Sequence, residues 1–215
     1  MGFINRSNIE DYTADIGYTH FFDGGPFQTA FAGIDMQRIE VIDGDLQSEV
    51  VAYRLLELET GTRDGFNLSY VSNKENVLQP FTIYREPGKE IVVQPGNYSF
   101  DEQEVGLSTG GQREFSGSLS YRTGDFYNGE RQNVNASFAW NQSRYFRATV
   151  RMDWNDIELP QGTFITRLSS VNTQVAFTPE LYWVTLAQYD NISEEIGINT
   201  RLQWIPKAGQ EALIV

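Results

Sequence analysis

Hydrolysis of a glycosidic bond takes two carboxyl groups held roughly 5 to 10 Å apart across a cleft, and two acidic groups in this chain have the composition for it. They are Asp153, Asp156 and Glu158, and then Asp190, Glu194 and Glu195. Both sit in or beside segments that read as loops, and no motif fixes their geometry, so they are expected to be solvated acids. His20 is the single histidine, which leaves a Ser-His-Asp triad one base and removes any multi-histidine metal site. It is read as a strand-end residue. No cysteine is present, so thiol nucleophiles and cysteine-bound zinc are absent. Asp43-Gly44-Asp45 followed by Glu49 lacks the ligand spacing of a calcium loop and reads as a tight turn. Asn-x-Ser sequons begin at Asn67, Asn97, Asn135, Asn141 and Asn191, as expected by chance in a chain this rich in Asn and Ser. The sequence thus offers no catalytic, cofactor-binding or metal-binding set and does not read as an enzyme.

The elements that carry these residues follow from composition. The chain has 215 residues, 40% hydrophobic and 13% aromatic, enough for a sizeable core. A net charge of -13 opposes a nucleic-acid partner, which needs clustered Lys and Arg. No run reaches the roughly 18 to 20 apolar residues of a membrane helix; Val50 to Leu58 comes nearest and is broken by Arg54 and Glu57. Met1 to Arg6 shows no charged region followed by an apolar one, hence no signal peptide, and the protein is read as cytoplasmic or as lacking its front. A membrane β-barrel stays open, because its strands alternate and average to a low hydropathy, here -0.41.

Period-two alternation recurs along the chain and predicts an all-β fold. Phe115, Gly117, Leu119 and Tyr121 share one face, opposite Ser116, Ser118, Ser120 and Arg122. Val134, Ala136, Phe138 and Trp140 repeat the pattern, as do Phe146, Ala148, Val150, Met152 and Trp154 opposite Arg147, Thr149, Arg151 and Asp153. Further strands are expected over 181–189 and 195–204, and in the first half over 12–22, 27–42, 47–58, 66–72 and 98–107. With a last one beginning at Glu211 the count is about twelve; the clear strands at 115–122, 134–140 and 146–154 are about ten residues long, the length of a tilted membrane strand.

Connections are expected to alternate in length, as porin-type barrels require. Asp23 to Pro26, Thr60 to Gly65, Gly110-Gly111, Asn141 to Arg144 and Thr178-Pro179-Glu180 are short; Asn73 to Asn97, Thr123 to Arg131 and Asn155 to Gly162 are long. Asp43-Gly44-Asp45 is tight where a long loop is due. Tyr121, Trp140, Trp154, Tyr189 and Trp204 end apolar strand faces, as lipid-interface aromatics do. Arg122, Arg147, Arg151, Asp153 and Arg201, with Glu195, lie on polar faces and suit a lumen. Phe126 and Tyr127 fall in an expected outer loop, where they would be available to stack on sugar rings.

Gly-Asp-Phe-Tyr-Asn-Gly at 124–129, Asn-Asp-Ile-Glu-Leu-Pro-Gln-Gly at 155–162, Thr-Arg-Leu at 166–168, Ala-Gln-Tyr-Asp-Asn-Ile-Ser at 187–193 and Gly-Ile-Asn-Thr-Arg-Leu-Gln-Trp-Ile-Pro-Lys-Ala-Gly-Gln-Glu at 197–211 carry a resemblance. Together they resemble the C-terminal region of the bacterial family called domain of unknown function 5916. The resemblance runs from about 100 to 215 and includes Val-Gln-Pro-Gly-Asn-Tyr at 93–98, while residues 1–90 match loosely. It implies an outer-membrane barrel that follows a domain resembling a family-nine carbohydrate-binding module, and further strands beyond Val215.

The expectation is therefore an antiparallel up-and-down transmembrane β-barrel of about twelve strands in this fragment, one domain over 1–215, with the sugar-binding-like domain and the final strands absent. It would serve as an anchor or passage in the bacterial outer membrane, with membrane lipid as partner, a glycan as a second partner class and no cofactor. The competing reading is a soluble or surface β-sandwich that binds or processes glycans.

Overall fold

In the computed structural model residues 8–42, 44–207 and 209–214 are described. Asp43 of the expected Asp43-Gly44-Asp45 turn lies outside the described residues, as do Met1 to Arg6 and Val215. The chain folds as β1 (Ile9–Phe21), β2 (Phe27–Val41), β3 (Leu46–Thr60), β4 (Gly65–Val77), β5 (Phe81–Glu86), β6 (Lys89–Val93), β7 (Gly96–Ser108), β8 (Phe115–Phe126), β9 (Gly129–Ser143), β10 (Phe146–Leu159), β11 (Gly162–Ala176), β12 (Leu181–Asp190), β13 (Glu195–Lys207) and β14 (Gln210–Ile214). Twelve of these strands form one antiparallel sheet in which each pairs with its neighbours along the chain, apart from the separate hairpin β5-β6 inserted between β4 and β7. The expected all-β, up-and-down topology is what the chain adopts. The sheet is open: β1 and β14 are its edges among the described residues.

Alternation in sequence becomes two faces because the ladders keep register across many strands. One row of partners runs Leu58, Phe66, Leu107, Leu119, Ala136 and Met152, every member apolar. The row beside it, displaced by one residue, runs Glu57, Asn67, Gly106, Ser120, Asn135 and Asp153. An extra residue at Leu55 shifts the register between Arg54 and Leu56 and absorbs the local break in alternation. We call these surfaces the back face and the polar face.

Two expectations need correction. The segments 123–131 and 155–162 are not long loops: β8 and β9 are separated by Tyr127 and Asn128 alone, β10 and β11 by Pro160 and Gln161 alone. Alternating loop length is therefore not a property of this fold, and 78–95, which contains β5-β6, is its one extended connection among the described residues. Positive backbone angles at Tyr127 (φ 52°) and at Gly162 (φ 144°) close the two hairpins. Strands also exceed ten residues, β10 having 14 and β11 having 15. At about 3.3 Å per residue and a tilt near 45°, 14 residues rise about 33 Å, slightly more than a hydrocarbon layer. β11 occupies a stretch whose alternation is blurred because Leu168 sits on the polar face opposite Asp153.

The turns 22–26, 61–64, 109–114, 144–145 and 177–180 line one rim, the lower; 127–128, 160–161, 191–194 and the inserted hairpin line the other, the upper. Asp64 ties two lower turns together. Its carboxylate accepts from the Gly110 N–H at 3.1 Å, from Thr62 at 2.9 Å and from Arg113 at 2.6 Å. The Gly110 amide first, then Thr62 and Arg113, hold its carboxyl below the ordinary carboxylate range. A depressed folded value means that the tie is complete above the unfolded value and is lost as pH falls through the folded one. Hydrogen exchange, corrected for intrinsic rate, should show the Gly110 amide protected at neutral pH and losing protection only at pH below the ordinary carboxylate range, and Asp64→Asn should flatten that dependence. Unchanged protection across the range would remove the carboxylate from this role.

Candidate functional site

The polar face encloses a hollow of about 610 Å³ whose lining runs from Asn67 on β4 to Gln188 on β12. Its walls combine short polar side chains, among them Ser118, Ser120, Asn135, Ser137, Ser170 and Asn172, with apolar residues, Leu168 and Leu186 of the same face and Leu107, Leu119, Ala136 and Met152 of the adjoining row. Small residues create the space. At Gly106 even a Cβ would meet the Asn67 carboxamide at 2.2 Å. Arg151 and Asp153 bring charge to the hollow.

The expected lumen residues do share this face. Arg122 pairs with Glu104, its Nε donating at 2.8 Å. Arg151 lies opposite Ser170, Asp153 opposite Leu168, Arg147 opposite Gln174, and Arg201 opposite Val184, which itself faces Gln174. Asp153 is engaged by carboxamides, Asn155 Nδ2 donating at 2.5 Å and Asn133 Nδ2 at 3.5 Å. Asn133 also donates to Asn155 at 2.9 Å, and Asn155 to Thr166 at 3.1 Å, so an amide ladder crosses β9, β10 and β11.

Above the hollow the hairpin β5-β6 folds onto the upper end of the polar face. Ile91, fully buried at 0% exposure, sits with Tyr84 among Ile157, Leu159 and Phe164, and Phe126 packs against the group. The Tyr84 and Phe164 rings stack at 4.5 Å, and Lys89 Nζ donates to the Thr163 carbonyl at 2.5 Å. Val77, Val93 and Phe100 are buried at the same end, so the apolar core of the described residues lies almost wholly beneath this cap. Under its flank Arg131 holds Glu102, only 3% exposed, through three hydrogen bonds, Nε to Oε1 at 2.8 Å, and Nη2 to Oε1 at 2.5 Å and to Oε2 at 2.7 Å. Sequence reading missed this cap, although a signal existed: Phe81, Ile83 and Tyr84, then Ile91, Val92 and Val93, flank a Pro87-Gly88 turn.

Phe126 and Tyr127 are placed differently from the expectation of free rings in a loop. Tyr127 contacts the rings of Phe81, Tyr98, Phe100 and Phe126, and its hydroxyl donates to Glu75 at 2.9 Å. Burial and the neighbouring Glu75 carboxylate push its hydroxyl pKa up. The guanidinium of Arg131 stacks on Phe126 at 4.4 Å. Both rings are half-buried struts of the upper rim, because the tight turn at 127–128 folds them against β7 and the cap rather than outward.

The back face carries the expected interface aromatics. Tyr121, Trp154 and Tyr189 lie toward the upper rim and Trp140 and Trp204 toward the lower. Between them large apolar side chains stand uncovered: Leu107 is 58% exposed, Phe138 51% and Ile198 69%. Polar groups within this zone pair with each other, as Trp183 Nε1 does with Thr200 at 2.5 Å and Thr200 with Thr185 at 2.9 Å. His20 ends β1 on this face in edge contact with Phe22 at 4.7 Å. No second sheet covers the back face among the described residues, which removes the packed sandwich.

The acidic residues do not assemble as the two groups the sequence offered: Asp153, Asp190 and Glu195 fall in one ladder row of the polar face, Asp190 two strands from Asp153. Asp153 lies on the polar face, whereas Asp156 and Glu158 fall outside its parity, with Ile157 buried under the cap between them. Asp190 and Glu195 are ladder partners, and Asp190 Oδ1 accepts from the Ile192 N–H at 2.9 Å to shape the upper turn. No group of three or more metal-ligating side chains is assembled among the described residues, and no helix there is long and apolar enough to cross a membrane.

Truncating Ile91 removes the centre of the cap's contact. Ile91→Ala should weaken docking by about 2 to 5 kcal/mol and speed tryptic cleavage after Arg85 and Lys89, while the sheet's circular dichroism stays unchanged. Equal cleavage rates in both proteins would show that the cap does not depend on this core. Comparison of the chain with family models, with curated proteins and with solved structures returned no match.

Proposed function

We propose that this chain forms the wall of an outer-membrane β-barrel that acts as an anchor or a passage, its back face toward lipid and its polar face toward a lumen. The observation that carries the reading is the uncovered apolar back face bounded by aromatic residues at both ends, Tyr121, Trp154 and Tyr189 above and Trp140 and Trp204 below. In water an apolar surface of that extent has to be covered. In a bilayer it is already matched, and the aromatic rows fall where headgroups meet hydrocarbon. Backbone chemistry agrees, since lipid tolerates strands only where peptide groups are paired by their neighbours, as the up-and-down ladder does along most of its inner strands. The resemblance of 100–215 to the C-terminal region of domain of unknown function 5916 points the same way.

A glycan-related role is supported by the lining of the hollow, which sets hydroxyls and carboxamides beside apolar residues, as the hydroxyls and C–H faces of a sugar ring require. It is not supported by Phe126 and Tyr127, which are occupied in the cap.

The test is purification of the chain in detergent and electrophoresis with and without boiling. A heat-dependent mobility shift, and recovery from cells with the outer membrane, are the expected results; a protein that folds and stays monomeric without detergent would overturn the proposal. Val150→Arg, in the middle of the back face and 45% exposed, should cost about 2 to 4 kcal/mol of stability in a bilayer, measured by urea titration of the reconstituted protein. A change below about 0.5 kcal/mol, as for an ordinary exposed site, would argue against lipid contact.

A further inference from the structure

From the pairing of charges on the polar face we infer that the hollow is a binding site for a small organic anion that also carries hydroxyl groups, with Arg151 as its anion-reading residue. The inference deepens the passage reading by naming a solute class. Guanidinium groups elsewhere on this face are paired with carboxylates within the protein: Arg54 with Asp35 at 2.9 Å, Arg122 with Glu104, and Arg131 with Glu102 at 2.7 Å. Arg151 makes no hydrogen bond or ion pair among the described residues, although the chain carries 29 acidic residues against 16 basic ones. Asp153 is the nearest acid on its strand and lies on the same face two residues away, yet it is turned to the carboxamides of Asn155 and Asn133. The guanidinium therefore lines the hollow with its donors free, beside an acid already supplied with donors.

Two further guanidinium groups lie below it. Arg147 is four residues away on the same face of β10, about 13 Å along the strand. Arg201 stands at the same ladder level as Arg147, three strands over, through Gln174 and Val184. Neither has a hydrogen bond or ion pair among the described residues, so the lower half of β10 to β13 keeps unneutralised positive charge in a chain of net charge -13. A carboxylate, phosphate or sulfate group takes a guanidinium fork in two parallel hydrogen bonds. Ser118, Ser120, Ser137, Ser170, Asn172 and Gln188 offer donors and acceptors for hydroxyls, and Leu168 and Leu186 an apolar patch for the C–H faces between them. The hollow's volume of about 610 Å³ lies within the range of small-molecule sites.

Glucuronate and glucose, which differ by one carboxylate, are the probes, with the folded full chain in detergent micelles and ligand-observed saturation-transfer NMR as readout. Glucuronate should bind and glucose should bind about tenfold or more weakly, the worth of a hydrogen-bonded charge. Arg151→Gln should bring glucuronate down to the level of glucose, Arg151→Lys should recover part of the difference, and Arg63→Gln, at a lower turn, should change nothing. Glucuronate methyl ester, tested on the unsubstituted protein, should behave as glucose does, which keeps the test independent of any variant's folding. Equal binding of acid and ester, no binding of either, or equal affinities of the protein and Arg151→Gln would overturn the inference. The heat-dependent shift reports on the barrel separately, so a protein that shifts but ignores glucuronate loses the site and keeps the barrel.

Discussion

Along most of the sheet's inner strands the backbone N–H and C=O groups are answered by the strand beside them, and that requirement governs the rest of the molecule. Continuous pairing over twelve strands fixes register, and because the side-chain period is two, register decides which surface each residue joins. A slip of one residue between β9 and β10 would move Trp154 and Met152 onto the polar face and Arg151 and Asp153 onto the back face. Both surfaces oppose that slip, since it would bring charge among apolar side chains on one side and bulk into the hollow on the other.

Apolar surface in this protein is distributed in an unusual way. The side chains buried by protein gather under the cap, around Ile91, Tyr84 and Phe164, while Leu107, Phe138 and Ile198 on the sheet itself stay uncovered. A water-soluble fold of this size would place its largest apolar residues against each other and gain roughly 25 cal/mol for each Å² buried. Here the sheet is held by its ladders, and the core serves to fix one hairpin over one end of one face. The cap's docking and the sheet's integrity are thus separable.

The polar face divides its arginines into two uses. Arg122 and Arg131 are ion-paired cross-strand struts near the upper end, the second around a buried glutamate whose charge would be costly without it. Arg147, Arg151 and Arg201 have no hydrogen bond or ion pair among the described residues, and Arg151 lines the hollow. The same residue type on the same face is therefore ion-paired in one half and unpaired in the other, according to whether a carboxylate stands within reach across the strands, as Glu104 does opposite Arg122 and Glu102 one strand beyond Arg131's partner Gly124.

Much of this was legible in the sequence, for a physical reason: a sheet with two different surroundings writes its pleat directly into polarity. Tyr121, Trp140, Trp154 and Arg151 could be assigned to faces from alternation alone, which also gave a count of about twelve strands, although it placed none over 162–176, where β11 runs. Turn geometry was not legible, because Asp125-Phe126-Tyr127-Asn128-Gly129 looks polar and glycine-rich enough for a loop, yet one positive φ at Tyr127 lets the strands run to the tip. The cap was hidden because its stability lies in contacts between residues such as Ile91 and Phe164, far apart in the chain. The partners of the charges were hidden as well: alternation places Arg122, Arg151 and Asp153 on one face, but only the folded ladder sets Glu104 beside Arg122 and turns Asp153 away from Arg151 toward Asn155. Periodicity is a local property that the chain carries by itself; the pairing of groups between strands is a non-local one that only the tertiary structure decides.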